Sequence, residues 1–236
     1  MFLWGYLAYM AWGMENMDAA ADWLLMPRMS GWDATDLFLV LVMWALMMAA
    51  MMLPSAAPLL MLVNRMYLER DGWKRAALKG AAFASGYLAV WSGFSVLATL
   101  AQWGLLEARL VSPAMESAST WLSSALLLAA GAYQLSGLKD VCLTRCRSPL
   151  SFLMTAGSDN AFLLGIRSGA YCTVCCALLM ALLFVLGVMN LAWIAVLTVI
   201  VLLEKFLRRP RGFVHATGFA LIAWGLWVLG RGIVAG

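Results

Sequence analysis

From Ser168 to Leu203 the chain runs for 36 residues without a charged side chain. As one α-helix that stretch would measure about 54 Å, against a bilayer hydrocarbon core of about 30 Å. It offers no polar face to water along that length, so it does not read as a helix of a soluble domain. It must fold back on itself within a membrane, and Gly187–Val188–Met189–Asn190 supplies the best turn. In lipid every backbone polar group needs an internal partner, which leaves an all-α, polytopic transmembrane helix bundle as the expected fold.

The rest of the chain agrees. It is 64% hydrophobic and 12% charged, about half the charge fraction of a typical soluble domain. Its polar stretches are too short to hold a core, so a single integral membrane domain over residues 1–236 is expected, with no soluble catalytic head. Six secure spans are expected at about 37–62, 80–106, 121–138, 169–187, 191–207 and 213–234. Residues 2–14 offer a possible seventh, short or tilted, or a helix lying in the interface. Residues 1–14 lack a basic start and a small-residue cleavage site, so no cleavable signal is expected. Pro54 and Pro58 fall inside the first span, and each removes a backbone donor. A kink or interruption between Met51 and Pro58 is the expectation.

Charge placement gives an orientation. Residues 65, 70, 74, 75, 79, 139, 145, 147, 167, 205, 208, 209 and 211 carry 13 of the 16 Lys and Arg side chains. Alternating the spans puts all of these on one side, leaving Arg28, Arg109 and Arg231 opposite. By the positive-inside rule the 13 face the cytoplasm and the C-terminus faces out. Between the first two spans, 65–79 reads as a basic loop, and 139–167 reads as a cytoplasmic connection with apolar pieces in the headgroup region. Basic side chains scattered over such short loops do not make a nucleic-acid footprint. The lipid bilayer is the expected partner, with other membrane subunits open.

All five cysteines fall between residues 142 and 176. Cys142 and Cys146 lie four apart; Cys172, Cys175 and Cys176 follow at i, i+3 and i+4. In helices each set shares one face. The assigned topology puts both near the inner membrane surface, where a reducing compartment favours thiols or thiolate ligands over a disulfide. Thiolates suit Cu(I), Zn(II) and iron–sulfur clusters. One such residue alone reads as core packing; five in 35 residues at this spacing point to metal or redox chemistry.

Met43, Met47 and Met51 form a stripe on the first span with Met48 and Met52 beside it, and Met61 and Met66 lie further on. Thioethers select Cu(I), but Met is also an ordinary gap-filler, so a copper role for Met51, Met52 or Met61 goes with the thiols. Glu204 and Lys205 end the fifth span at the level of the cysteines and either serve a site or snorkel to the interface, with snorkelling favoured. Tyr133 and Gln134 suit interhelical hydrogen bonds. His215 reads as an interfacial residue, and Gly165 with Gly169 as a close-packing pair. No nucleophile elbow, Walker loop, dinucleotide fingerprint or paired carboxylate site occurs, so no enzyme is expected.

These residues carry a resemblance. Met47–Pro58 reads MMAAMMLPSAAP, Gly86–Phe94 GYLAVWSGF, Gly131–Pro149 GAYQLSGLKDVCLTRCRSP, Gly169–Met180 GAYCTVCCALLM and Gly187–Lys205 GVMNLAWIAVLTVIVLLEK. Over about residues 35–207 the chain resembles the bacterial family of predicted metal-binding integral membrane proteins of otherwise unknown function. The Cys-x-x-x-Cys-Arg and Cys-x-x-Cys-Cys motifs are its most specific part. The resemblance implies a metal-binding membrane protein with Cys142, Cys146, Cys172, Cys175 and Cys176 as the matching positions. Family members often carry His before the second Cys, where this chain has Arg145, which weakens a mixed Cys/His site.

The expectation is therefore a membrane protein that handles or transports a soft metal, copper foremost, at a Cys-rich site near the cytoplasmic face. The alternative is a structural or accessory subunit of a larger membrane complex, in which the cysteines only pack. An organic-solute transporter lacks its signature of interrupted helices in matching halves.

Overall fold

A computed structural model describes residue 5 and residues 33–108, 119–147, 160–188, 190–207 and 210–235. The possible helix at 2–14, apart from residue 5, and the apolar piece at 150–154 lie outside the described residues. Within them the chain is helical, with no strand.

Helix α1 (Ala34–Asp71) begins at a capping box in which the Asp33 side chain accepts from Asp36 N and Asp33 N donates to Asp36 Oδ2, while Ala34 N also donates to Asp33 Oδ1. These bonds satisfy orphan donors of the first turn. The helix then continues for 38 residues, through both prolines. Of the kink or interruption expected between Met51 and Pro58, the interruption does not occur. Ser55 Oγ and Tyr87 OH both donate to the Met52 carbonyl beside Pro54, at 2.8 and 3.3 Å.

Gly72 (φ 79°) alone separates α1 from α2 (Trp73–Glu107). The expected basic loop at 65–79 is therefore two helix ends and one joint. A small second core of Leu59, Val63, Phe83, Ala161 and Leu164 holds the extensions together. Leu60 lies against Gly80, Met52 against Tyr87 and Trp44 against Gln102. One number falls as the other rises, so α1 and α2 form an antiparallel hairpin.

Two shorter helices follow, α3 (Thr120–Gln134) and α4 (Gly137–Arg147). Helix α5 (Ala161–Ala181) starts eight residues before the expected boundary of 169, because Asn160 caps it by accepting from Phe162 N. The segment expected to rest in the headgroup region is thus its first turns. Helix α5 runs parallel to α2 at very close range. A Cβ on Gly86 would meet the Phe162 carbonyl, and one on Gly165 the Phe83 carbonyl. Small residues at both positions let the backbones touch.

A single turn, α6 (Leu183–Leu186), leads to Gly187 at φ 90°, a backbone state that L side chains rarely adopt. Asn190 then caps α7 (Leu191–Phe206). The uncharged run thus breaks within the expected stretch. Helix α8 (Pro210–Ala235) packs antiparallel to α3 along Gly131, Gly218 and Gly225.

Among the described residues, four helices are long and apolar enough to cross a membrane: Ala34–Arg70, Trp73–Glu107, Ala161–Leu186 and Pro210–Ile233. The third and fifth expected spans correspond to α3 and α7, of 15 and 16 residues. At about 22 and 24 Å these are shorter than a full core crossing. The third ends at Gln134 rather than 138, where Ser136 turns the chain into α4. The main core gathers side chains of α1, α2, α3, α5, α6 and α7 around the cysteines of α5.

Candidate metal centre

Helix α4 is a short amphipathic piece. Its buried positions are Lys139 and Leu143, and Cys142 and Cys146 stand half-buried on the same face, packed against the main core. The spacing i, i+3, i+4, i+7 brings these four onto one stripe. Polar contacts fasten that stripe. Lys139 Nζ donates to the Cys175 carbonyl and to Glu204 Oε2, both at 2.8 Å. Arg147 Nε donates to the Lys205 carbonyl at 3.0 Å, and its Nη2 to that of Leu207. Arg145 Nη1 donates to Tyr171 OH at 2.7 Å and lies over the same ring. Helix α4 is thereby clamped across α5 and the end of α7.

On α5 the inward stripe is Gly169, Cys172, Cys175, Cys176, Leu179 and Met180, all buried. The clamp brings the two cysteine sets together: Cys146 Sγ lies 3.9 Å from Cys175 Sγ, although 29 residues separate them. Cys175 Sγ is 3.2 Å from Cys176 Sγ. Cys172 faces α1, α2 and α7 and meets Tyr87 OH and Lys205 Nζ, each at 3.0 Å. Lys205 Nζ also donates to Ser55 Oγ at 2.8 Å. Cys142 shares the face of Cys146 toward the core. All five thiols are free. Met51 and Met52 are fully buried in the same core cluster, whereas Met61 is 62% exposed and turned away from it.

At a metal–thiolate length of about 2.3 Å, sulfurs 3.9 Å apart subtend roughly 116° at a shared ion. Cys146 and Cys175 are therefore spaced for two-point capture without backbone movement. Among the described residues, no three His, Cys, Asp or Glu side chains form a ready-made closed cage. The arrangement is an open sulfur pair with further sulfurs beside it. Its donors are all soft, and the chain's single histidine, His215, is exposed on α8. Thiolates with thioethers nearby suit Cu(I) and disfavour hard cations.

Glu204 and Lys205 do not snorkel. Glu204 is fully buried, its Oε2 paired with Lys139 and its Oε1 accepting from Gln134 Nε2 at 2.6 Å. Snorkelling loses because two donors already meet the carboxylate inside the bundle, and a buried charge so paired no longer needs water. Gln134 also donates to Thr217 Oγ1 at 3.1 Å, and Tyr133 OH to the Val174 carbonyl at 2.6 Å, the expected interhelical bonds. Sequence reasoning missed Lys139, Tyr87 and Ser55 as parts of this centre. Lys139 was visible as the residue three before Cys142, which a helix places on the same face; nothing local singles out Tyr87 or Ser55.

No curated protein and no solved structure matches the chain. The family model PpoB2, described as a copper chaperone, matches residues 41–228 of the 236 and takes in every cysteine together with Lys139 and Lys205. Soft donors converging from two helices, within a match that covers most of the length, lead to one conclusion: the chain belongs to the PpoB2 copper chaperone family.

Proposed function

We propose that this chain is a multi-pass inner-membrane carrier of Cu(I), and not an enzyme. In this reading it takes the ion up at a thiol-rich site near the cytoplasmic face and passes it on by ligand exchange. The observation that carries the proposal is the 3.9 Å approach of Cys146 Sγ on α4 to Cys175 Sγ on α5. Cu(I) commonly takes two or three soft ligands, so Cys172, Cys176 and Cys142 with Met51 or Met52 supply alternatives for stepwise transfer.

Charge counting supports a monovalent cargo. Lys139 and Glu204, the charged side chains fully buried at this level, cancel, and the half-buried Lys205 turns its ammonium inward to Cys172. Two thiolates with one Cu(I) carry one negative charge, and Lys205 balances it. Lys205 donates to Cys172 Sγ, so an ion reaching that sulfur competes with the ammonium for the same lone pair. Ligand exchange leaves copper as Cu(I) throughout and needs no electron donor.

The orientation follows from the charge distribution. In this reading there are six spans, with α3 and α7 crossing as short helices, the Cys centre at the cytoplasmic end and the C-terminus outside. The helix directions agree among themselves: α1 and α2 run antiparallel, α2 and α5 parallel, α3 and α8 antiparallel.

The test is copper content by elemental analysis of the detergent-purified chain, reduced and loaded with Cu(I), beside Cys146→Ser, Cys175→Ser and the variant lacking all five thiols. The single variants are expected to lose at least tenfold in competition against a Cu(I) chelator. The five-fold variant is expected to lose the high-affinity ion. Wild-type protein that retains no copper, or a five-fold variant that holds it equally tightly, refutes the assignment. Reproducible co-purification of fixed membrane subunits with metal-free protein favours an accessory role instead.

A further inference from the structure

The centre continues into the bundle. Met43, Met47, Met48, Met51 and Met52 of α1 and Met180 of α5 are each at most 5% exposed and belong to the core cluster that contains Cys172, Cys175 and Cys176. Met52 lies at the level of Cys172, since Tyr87 OH reaches both the Met52 carbonyl and the Cys172 sulfur. From there Met43 is about 13 Å along α1, and Met180 about 12 Å from Cys172 along α5. Helix α1 runs that way toward its start and α5 toward its end, so both sets of sulfurs extend in one direction, away from α4.

Packing alone does not account for the distribution. Between residues 43 and 52 of α1, every buried side chain larger than alanine is Met or Trp. The same helix places Leu41, Leu46 and Leu53 at partly exposed positions. Leucine has better-defined rotamers and is the better core filler, while Met specifies a core poorly. Over residues 41–53 the leucines lie at partly exposed positions and the thioethers inside, the reverse of what packing favours, whereas further along the helix Leu59 is buried and Met61 and Met66 are exposed.

The geometry points to a second Cu(I) station inside the bundle, built from the thioethers of Met43, Met47, Met48 and Met180. It lies next to the thiol centre and would receive the ion from it by way of Met51 and Met52. The inference rests on the reading of the thiols as a Cu(I) site. Thioethers are neutral, so they leave the charge of the ion uncompensated in a low-dielectric interior and bind it more weakly than thiolates do. Weak binding suits an onward step, because a station that must release its ion cannot hold it as tightly as the site that captures it.

The experiment is titration of the full chain in detergent, under reducing conditions, with Cu(I) against a competing chelator and with Ag(I) as a redox-inert probe of soft sites. Wild type is expected to show a tight and a weaker class of site. The variant with all five Cys replaced by Ser should keep the weaker class, at least tenfold below the tight one, with only sulfur neighbours in X-ray absorption. Met43→Leu, Met47→Leu, Met48→Leu and Met180→Leu combined should lose the weaker class and hold the tight one within twofold. Leucine conserves volume; if the combined variant does not fold, the pair Met43→Leu and Met47→Leu is expected to weaken the same class. A Cys-free chain that binds no Ag(I) while wild type does, or leucine variants that retain both classes, overturns the inference and leaves the thiol site standing. A wild-type chain that binds neither ion overturns both.

Discussion

Replacing Glu204 by Gln removes the carboxylate from the polar knot that ties α4, α5 and α7 together at the cysteines. Its oxygens accept from Lys139 Nζ at 2.8 Å and from Gln134 Nε2 at 2.6 Å, and both charged side chains are at most 1% exposed. A glutamine there keeps one acceptor and turns an N–H₂ toward one of these two donors. Lys139 is left with the Cys175 carbonyl and no counter-charge. Removing one partner of a buried ion pair costs about 3–5 kcal/mol, because the other charge stays buried and uncompensated. In a chain of this size each kcal/mol moves the melting temperature by about 2–4 °C, so a fall of roughly 10 °C is expected. The assay is heating in detergent, followed by the fraction that stays monodisperse on size exclusion. Lys139→Met should fall comparably. Lys139→Met with Glu204→Leu should recover most of the loss, since an apolar pair of similar volume can replace a buried ion pair at little cost. A Glu204→Gln variant that melts within 2 °C of wild type, or a double variant no better than the singles, refutes the claim that the pair is dry and mutually dependent.

Two further outcomes follow from the fold. Gly86→Ala drives a methyl into the Phe162 carbonyl on α5 and should cost about 1–3 kcal/mol or more by thermal unfolding, whereas Gly93→Ala, with nothing within 4 Å, should be neutral or slightly stabilising; equal effects would mean that α2 and α5 are not in contact at Gly86. Reporter fusions after Lys79, near Pro149 and after Arg211 should read as cytoplasmic and those near Ser112 and at Gly236 as external, and a periplasmic signal from the 79 fusion would invert the orientation and move the cysteines to the oxidising side.

The helical class was legible because it follows from a conflict visible in one dimension: an uncharged run too long for one span and too apolar for water. The turn after Leu186 was legible for the same reason, with Gly187 and Asn190 at the needed place. What escaped was where helices begin and end. The charges from Arg65 to Lys79 look like a loop, yet α1 and α2 continue through them, since extending an existing helix costs little once Val63 and Phe83 hold its far end. Pro54 marks a missing donor, but whether the helix breaks there depends on what packs beside it, and Tyr87, whose OH reaches the Met52 carbonyl, lies 35 residues from Met52 in sequence.

The candidate site divides along the same line. The cysteine spacing fixed which thiols share a face, and the charge pattern suggested that the two sets lie at one depth. Neither reveals that Lys139 reaches across to Glu204 or that Lys205 turns inward to Cys172. From sequence, a lysine at the end of an apolar helix is ambiguous, because its long side chain can snorkel outward or be drawn inward with equal ease. The choice is made by the partners it finds. For Lys205 these are Ser55 on α1 and Cys172 on α5, 150 and 33 residues away in sequence. A polar centre assembled from several helices is thus written in residues that each look ordinary in their own helix. Only the soft donors, which have few other uses at such density, announce it in advance.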